Sequence, residues 1–166
     1  DTSYSVIDVD QQTIEIGQAT PPGFKFFHGE FPNALPQNFT ADLVLMQGLF
    51  PQIPDWKSML RSMATVAKKY MTFSCNLRLE GSTLVDKDTS YAYYLDTEKR
   101  VYQVSHNIYE MKNFLCLKDI GARKISFFGY VTGEQGNNFR CVPHSKQIQG
   151  NILVEFFSDE EHKKLK

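Results

Sequence analysis

The chain has 166 residues, a net charge of −1, 42% hydrophobic and 22% charged residues. That length supports one domain with its own core, and that balance leaves no overall field to hold nucleic acid or an acidic membrane. No run of 18 apolar residues exists, so no membrane span is expected, and Cys75, Cys116 and Cys141, each in an apolar run, read as buried free thiols rather than a disulfide or zinc framework.

Aromatic residues make up 13% of the chain, which favours pleated, half-buried structure. Ser5 to Val9 and Thr13 to Ile16 alternate apolar and polar positions and read as a short hairpin ended by Pro21-Pro22-Gly23. Phe24 to Phe39 mixes aromatics with two prolines and reads as an ordered loop, or as a partner-binding surface. Ala41 to Phe50 is a strand candidate with apolar residues on both parities. After Pro51–Pro54, Asp55 caps a predicted helix reaching about Tyr70. Trp56, Met59, Leu60, Met63, Ala67 and Tyr70 form its apolar stripe. Met71, Phe73, Cys75, Leu77 and Leu79 alternate with polar residues as a half-buried strand, turned by Glu80-Gly81. Leu84–Val85, Tyr91–Leu95, Val101–Ser105, Met111–Leu117, Ile125–Thr132 and Phe139–Val142 read as further strands, with a turn at Gly133–Asn138. Pro143 ends the sheet, and Asn151 caps a predicted terminal helix from Ile152 to Lys164.

Catalytic patterns are missing from the sequence. His28, His106, His144 and His162 lie far apart, and no nucleophile elbow, Walker loop or dinucleotide turn occurs. The reading is of a non-enzyme with no cofactor and no metal. Lys57, Arg61, Lys68 and Lys69 are placed on one basic helix face, either solvated or meeting phosphoinositide head groups of an acidic membrane surface.

The element order, with Ile125 to Val142 (I-S-F-F-G-Y-V-T-G-E-Q-G-N-N-F-R-C-V) and His106-Asn107-Ile108 before Met111–Asp119, resembles the phosphotyrosine-binding (PTB) domain of Disabled type. The resemblance covers roughly residues 41–157; Asn107 departs from it, standing where proline is usual. It implies an α+β fold of the pleckstrin-homology superfold. That fold is a β-sandwich or partly open barrel of about seven antiparallel strands, with an early helix and a short C-terminal helix. Residues 1–40 then form an N-terminal extension and 41–166 the PTB-like domain.

The resemblance further implies a cytoplasmic signalling adaptor. It would take an asparagine-proline-x-tyrosine peptide, such as a receptor cytoplasmic tail, as an added strand. The edge strand would be Tyr109 to Cys116, with Met111, Asn113 and Leu115 or Lys112, Phe114 and Cys116 setting the pocket. Leu153 and an aromatic, Phe156 or Phe157, would cover the peptide turn. Arg78, Arg140 and Lys112 are the candidate phosphate donors. Two rivals remain open. One is a lipocalin-like barrel. The other is a scaffold subunit on a pleckstrin-homology fold, whose groove is filled by its own N-terminus or by a partner protein.

Overall fold

The computed structural model describes residues 2–19, 23–94, 97–130, 138–140, 142 and 146–157. The chain divides into two compact units, Asp1–Thr40 and Ala41–Lys166. Residues 133–137 of the turn predicted at Gly133–Asn138, together with Cys141, Pro143, His144 and the charged tail from Ser158, with His162, fall outside the described residues.

The first unit is a strand, a helix and a second strand. β1 (Tyr4–Asp8) pairs with β2 (Phe24–His28) in parallel, in register from Tyr4↔Phe24 to Asp8↔His28. Two parallel neighbours need a crossover, and α1 (Gln11–Gln18) supplies it. The predicted hairpin is therefore corrected. Asp10 accepts hydrogen bonds from the Gln12 and Thr13 amides and starts a helix where alternation suggested a strand. Ile14 is buried and Ile16 exposed, which a two-residue period cannot produce. The predicted loop Phe24–Phe39 begins as β2, with the Phe24 ring stacked on Tyr4 at 5.0 Å.

The second unit holds a mixed sheet in the order β3-β4-β10-β8. β3 (Ala41–Met46) leads into the short 3-10 turn Phe50–Gln52 and then α2 (Trp56–Val66). The chain returns as β4 (Ala67–Arg78), parallel to β3. Asp55 caps α2 through the Ser58 amide, as the sequence suggested. The helix stops at Val66, however, so Lys68, Lys69 and Tyr70 belong to β4. β5 (Tyr91–Tyr94), β6 (Lys99–Tyr102) and β9 (Asn138–Arg140) form a small antiparallel sheet in the order β6-β5-β9. β7 (Ser105–Asn107) lies parallel to the end of β4 and runs directly into α3 (Ile108–Leu115). β8 (Ala122–Tyr130) and β10 (Ile148–Phe156) complete the main sheet, with β10 antiparallel to both β4 and β8. β8 thus runs in the same direction as β3 and β4.

In the second unit two predicted elements change type, and both changes remove the expected antiparallel sandwich. The strand Met111–Leu117 is a helix. Asn107 accepts from the Tyr109 and Glu110 amides, and Met111, Phe114 and Leu115 are buried at three- and four-residue spacing. The terminal helix from Ile152 is instead β10: Gly150, Ile152 and Val154 are buried with a period of two. Gly150 faces Gly129 across the strands, and a Cβ on Gly150 would come within 2.0 Å of the Phe128 carbonyl oxygen. Only glycine lets β8 and β10 approach so closely there.

One face of the main sheet forms the core. Met71, Phe73, Cys75 and Leu77 of β4 lie beside Ile152 and Val154 of β10. Ring contacts run from Phe73 through Phe50, His106 and Trp56 to Phe114, at 4.5 to 5.4 Å between centroids. They tie α2 and α3 to that face. The alternate residues, Leu43, Leu45, Ser74, Asn76, Gln149 and Asn151, belong to the opposite face. The thiols do not all sit inside: Cys75 is buried, but Cys116, just past α3, is exposed.

Candidate active site

The carboxyl end of the parallel pair β3 and β4 carries a cavity of about 220 Å³. Ligands of α/β sheets bind outside the carboxyl ends of parallel strands, where loops diverge. Five separate segments build the described walls. After β3 the chain turns at Gln47-Gly48, with Gly48 in the left-handed region at φ +72. Its amide donates to Ser74 Oγ at 2.7 Å, fixing the loop on β4. Pro51 and Gln52 follow, and the Pro51 carbonyl accepts from the Val104 amide at 2.6 Å. β4 gives Ser74, Cys75 and Asn76, β10 gives Gln149, Gly150 and Asn151, and the small-sheet region gives Tyr94 and Gln103. Ser90 Oγ donates to the Gln103 carbonyl and holds that region closed.

Among the described residues the lining is polar and uncharged, with no Asp, Glu, Lys, Arg or His. Cys75 brings no reactive thiolate, because burial pushes its thiol up to about 12 and its side chain belongs to the core face. Among the described residues that line the cavity, two side-chain amide atoms are buried without a hydrogen-bond partner, Asn76 Nδ2 and Asn151 Oδ1. The Asn76 main chain is engaged elsewhere: its carbonyl accepts from His106 Nδ1 at 3.3 Å. His106 is fully buried, and burial lowers its pKa to about 3, so the ring is neutral at ordinary pH.

The residues expected from sequence lie elsewhere. Tyr109, Met111, Lys112, Asn113, Phe114 and Leu115 are on α3, with Cys116 as its C-cap. Tyr109 is 62% exposed, while Met111, Phe114 and Leu115 pack into the core. Leu153 and Phe156 are on β10, with Phe157 just beyond it. Among the described residues, the expected edge strand is a helix and the expected covering helix is a strand, so they form no peptide groove. The basic residues share no helical face: Lys57 and Arg61 are on α2, Lys68 and Lys69 on β4. Arg61 pairs with Asp119 at 2.8 Å and lies over the Phe114 ring, and Lys69 pairs with Asp42 at 2.8 Å. Arg78, Lys112 and Arg140 sit on three different elements. Among the described residues no cluster of three His, Cys, Asp or Glu could hold a metal, and no helix is long and apolar enough to cross a membrane.

No known sequence family and no curated protein matches the chain. Solved structures do. The N-terminal domain of EvdMO1 with SAH bound superposes with a TM-score of 0.61 at 10% identity, covering 94% of this chain and 66% of that one. Magnesium protoporphyrin IX methyltransferase from Synechocystis PCC 6803 with bound SAH gives 0.57 at 13% identity, covering 92% and 64%. A SAM-dependent methyltransferase from Thermotoga maritima gives 0.51 at 13%, covering 92% and 72%. The chain thus spans just under two thirds of the length of the first two. These likenesses overturn the pleckstrin-homology fold. With it fall the adaptor and scaffold readings, the peptide tail as partner, the phosphoinositide signalling role and the expectation of a non-enzyme. The fold is the mixed-sheet, Rossmann-like α/β fold that SAM-dependent methyltransferases share.

Proposed function

We propose that this chain forms the acceptor-binding side of a SAM-dependent methyltransferase acting on a small molecule. The observation that carries this reading is the cavity at the carboxyl end of β3 and β4, polar along its described lining, in a fold shared with SAH-bound methyltransferases.

The residues fit the cofactor in part. In Rossmann-type sheets an acidic side chain near a strand's carboxyl end accepts from ribose hydroxyls. Asp8 ends β1, half-buried, with Oδ1 accepting from the Asp10 amide at 2.8 Å, so its carboxylate is held in one orientation. The glycine-rich turn that lets a backbone approach a nucleotide has no counterpart, since no G-x-G occurs among these 166 residues. When bound, SAM supplies a methyl group on a positively charged sulfur. The chain's own part is to seat the acceptor among the polar side chains of the cavity.

Isothermal titration calorimetry with SAH tests the reading. Binding is expected to be measurable, and Asp8→Ala should weaken it by about tenfold, the loss of one or two hydrogen bonds to a charged group. Absence of SAH binding in the folded wild-type protein overturns it.

A further inference from the structure

We infer that the Ser74 hydroxyl is the donor that selects what the cavity takes, a small molecule presenting a carbonyl oxygen. This deepens the methyl-transfer reading by naming the group by which the acceptor is held. It rests on that reading for the reaction, not for the binding.

Ser74 lies on β4 opposite Asn151 of β10, one residue past the last pairing of β4 with β3, Met46↔Phe73. Phe73 and Cys75 on either side of it belong to the core, so the Ser74 side chain leaves the opposite face. Unlike those two neighbours, Ser74 is only half-buried. Its backbone is flanked by β10 on one side and by the Gln47-Gly48 turn on the other. The surface it keeps is therefore that of the side chain, at the cavity it lines.

A serine hydroxyl holds one proton and two lone pairs. Here one lone pair accepts the Gly48 amide at 2.7 Å. The hydroxyl proton cannot point along that line, which the amide hydrogen fills, and no hydrogen bond to another described residue uses it. A donor in this state at a cavity wall favours an oxygen with lone pairs and no proton of its own, which is a carbonyl. A ligand hydroxyl would bring a second proton in need of a further acceptor. The volume of about 220 Å³ suits a single small ring. The Gly48 bond also supplies a reporter. Hydrogen bonds in a chain polarise one another, so giving the Ser74 proton to a carbonyl makes Oγ a stronger acceptor for the Gly48 amide.

The test uses cyclohexanone and methylenecyclohexane, rings of nearly the same shape of which only the first carries a carbonyl. Two-dimensional amide NMR of the whole chain follows both titrations. Cyclohexanone should bind more tightly and move the Gly48 amide proton downfield, which methylenecyclohexane should not do. Ser74→Ala should weaken cyclohexanone by about threefold to tenfold, the loss of one hydrogen bond, and bring the two probes to one affinity. Ser74→Thr keeps the hydroxyl and should keep the preference. A loosened loop weakens both probes alike, so the ratio between them, rather than the affinity of either, reads the donor. An equal fall for both in Ser74→Ala makes Ser74 a tether of the loop and overturns the inference. So does a preference that survives Ser74→Ala, or a wild-type protein that binds both probes equally or neither. Should Ser74→Ala not fold, the wild-type preference and the Gly48 shift decide. If SAH binds and cyclohexanone is not preferred, this inference fails while the methyltransferase reading stands. If cyclohexanone is preferred through Ser74 and SAH does not bind, the reading fails and the donor site remains.

Discussion

The imidazole of His106 lies between the Phe50 ring, stacked at 5.1 Å, and the edge of Trp56 at 5.4 Å. Burial there lowers its pKa from 6.5 to about 3. Between those two pH values the unfolded chain holds a proton on this ring and the folded chain does not. Its contribution is therefore fully present above pH 6.5 and is lost as the pH falls toward 3, at about 1.4 kcal/mol per pH unit. Denaturant unfolding at pH 7 and pH 5 should show about 2 kcal/mol lost from this residue alone. In His106→Gln that component of the pH dependence should vanish, even though the variant starts less stable. An unchanged slope would show that the ring is not the buried proton-refusing group described above. The same residue illustrates what one-dimensional reading can reach. His106 was legible as part of a motif but not as core, because its burial depends on Phe50, Trp56 and Asn76, which are distant in sequence.

At the scale of elements, two apolar runs of the second unit differ in period between sequence and structure. Asn151-Ile152-Leu153-Val154-Glu155-Phe156-Phe157 matches a helical stripe at 152, 153, 156 and 157 and equally a strand at 150, 152 and 154; short apolar runs do not decide between these. For α3 a signal was present and missed. Asn107 followed three residues later by Glu110 is an N-terminal capping pattern. The Asn107 side chain accepts from Tyr109 and Glu110 and also donates to the Gly81 carbonyl at 2.6 Å. Asn107→Ala should then cost about 2 kcal/mol in urea unfolding, combining the cap with a part-buried hydrogen bond. Asn107→Asp should recover part of the loss, since it keeps the cap and gives up the donor. Equal losses for both variants would mean that the cap contributes nothing. By contrast, Asp55 and the stripe Trp56, Leu60, Met63 were legible as α2, because a long amphipathic run with a cap leaves one period to choose.

At the scale of the molecule, β3, α2 and β4 were each foreseen in outline, yet their assembly was not. Strand, helix, strand is compatible with a parallel crossover or with antiparallel strands flanking a helix, and only the pairing decides. The run Phe127-Phe128-Gly129-Tyr130-Val131 then drew the reading toward an antiparallel family, although the glycine in it serves the close approach to Gly150. The cavity could not be read at all. Its described walls come from residues 47–48, 51–52, 74–76, 94, 103 and 149–151, with no spacing that marks them as a set.

The position of β10 bears on how the chain reaches this state. It fills the place between β4 and β8, yet follows every other strand in sequence. Until it arrives, β4 and β8 each present an open inner edge, and Ile152 must find Phe73 across about eighty intervening residues. Such a closing step is slow, and the unpaired edges meanwhile invite other chains. Folding of the second unit should thus be governed by capture of this one segment. Refolding yield should fall as protein concentration rises, and an excess of a synthetic peptide spanning 148–156 should lower it further by taking the vacant place. Val154→Pro, which removes a ladder donor in the middle of β10, should abolish the cooperative transition altogether. A yield independent of concentration, or a variant that keeps cooperative unfolding, would show that the rest of the sheet closes without it.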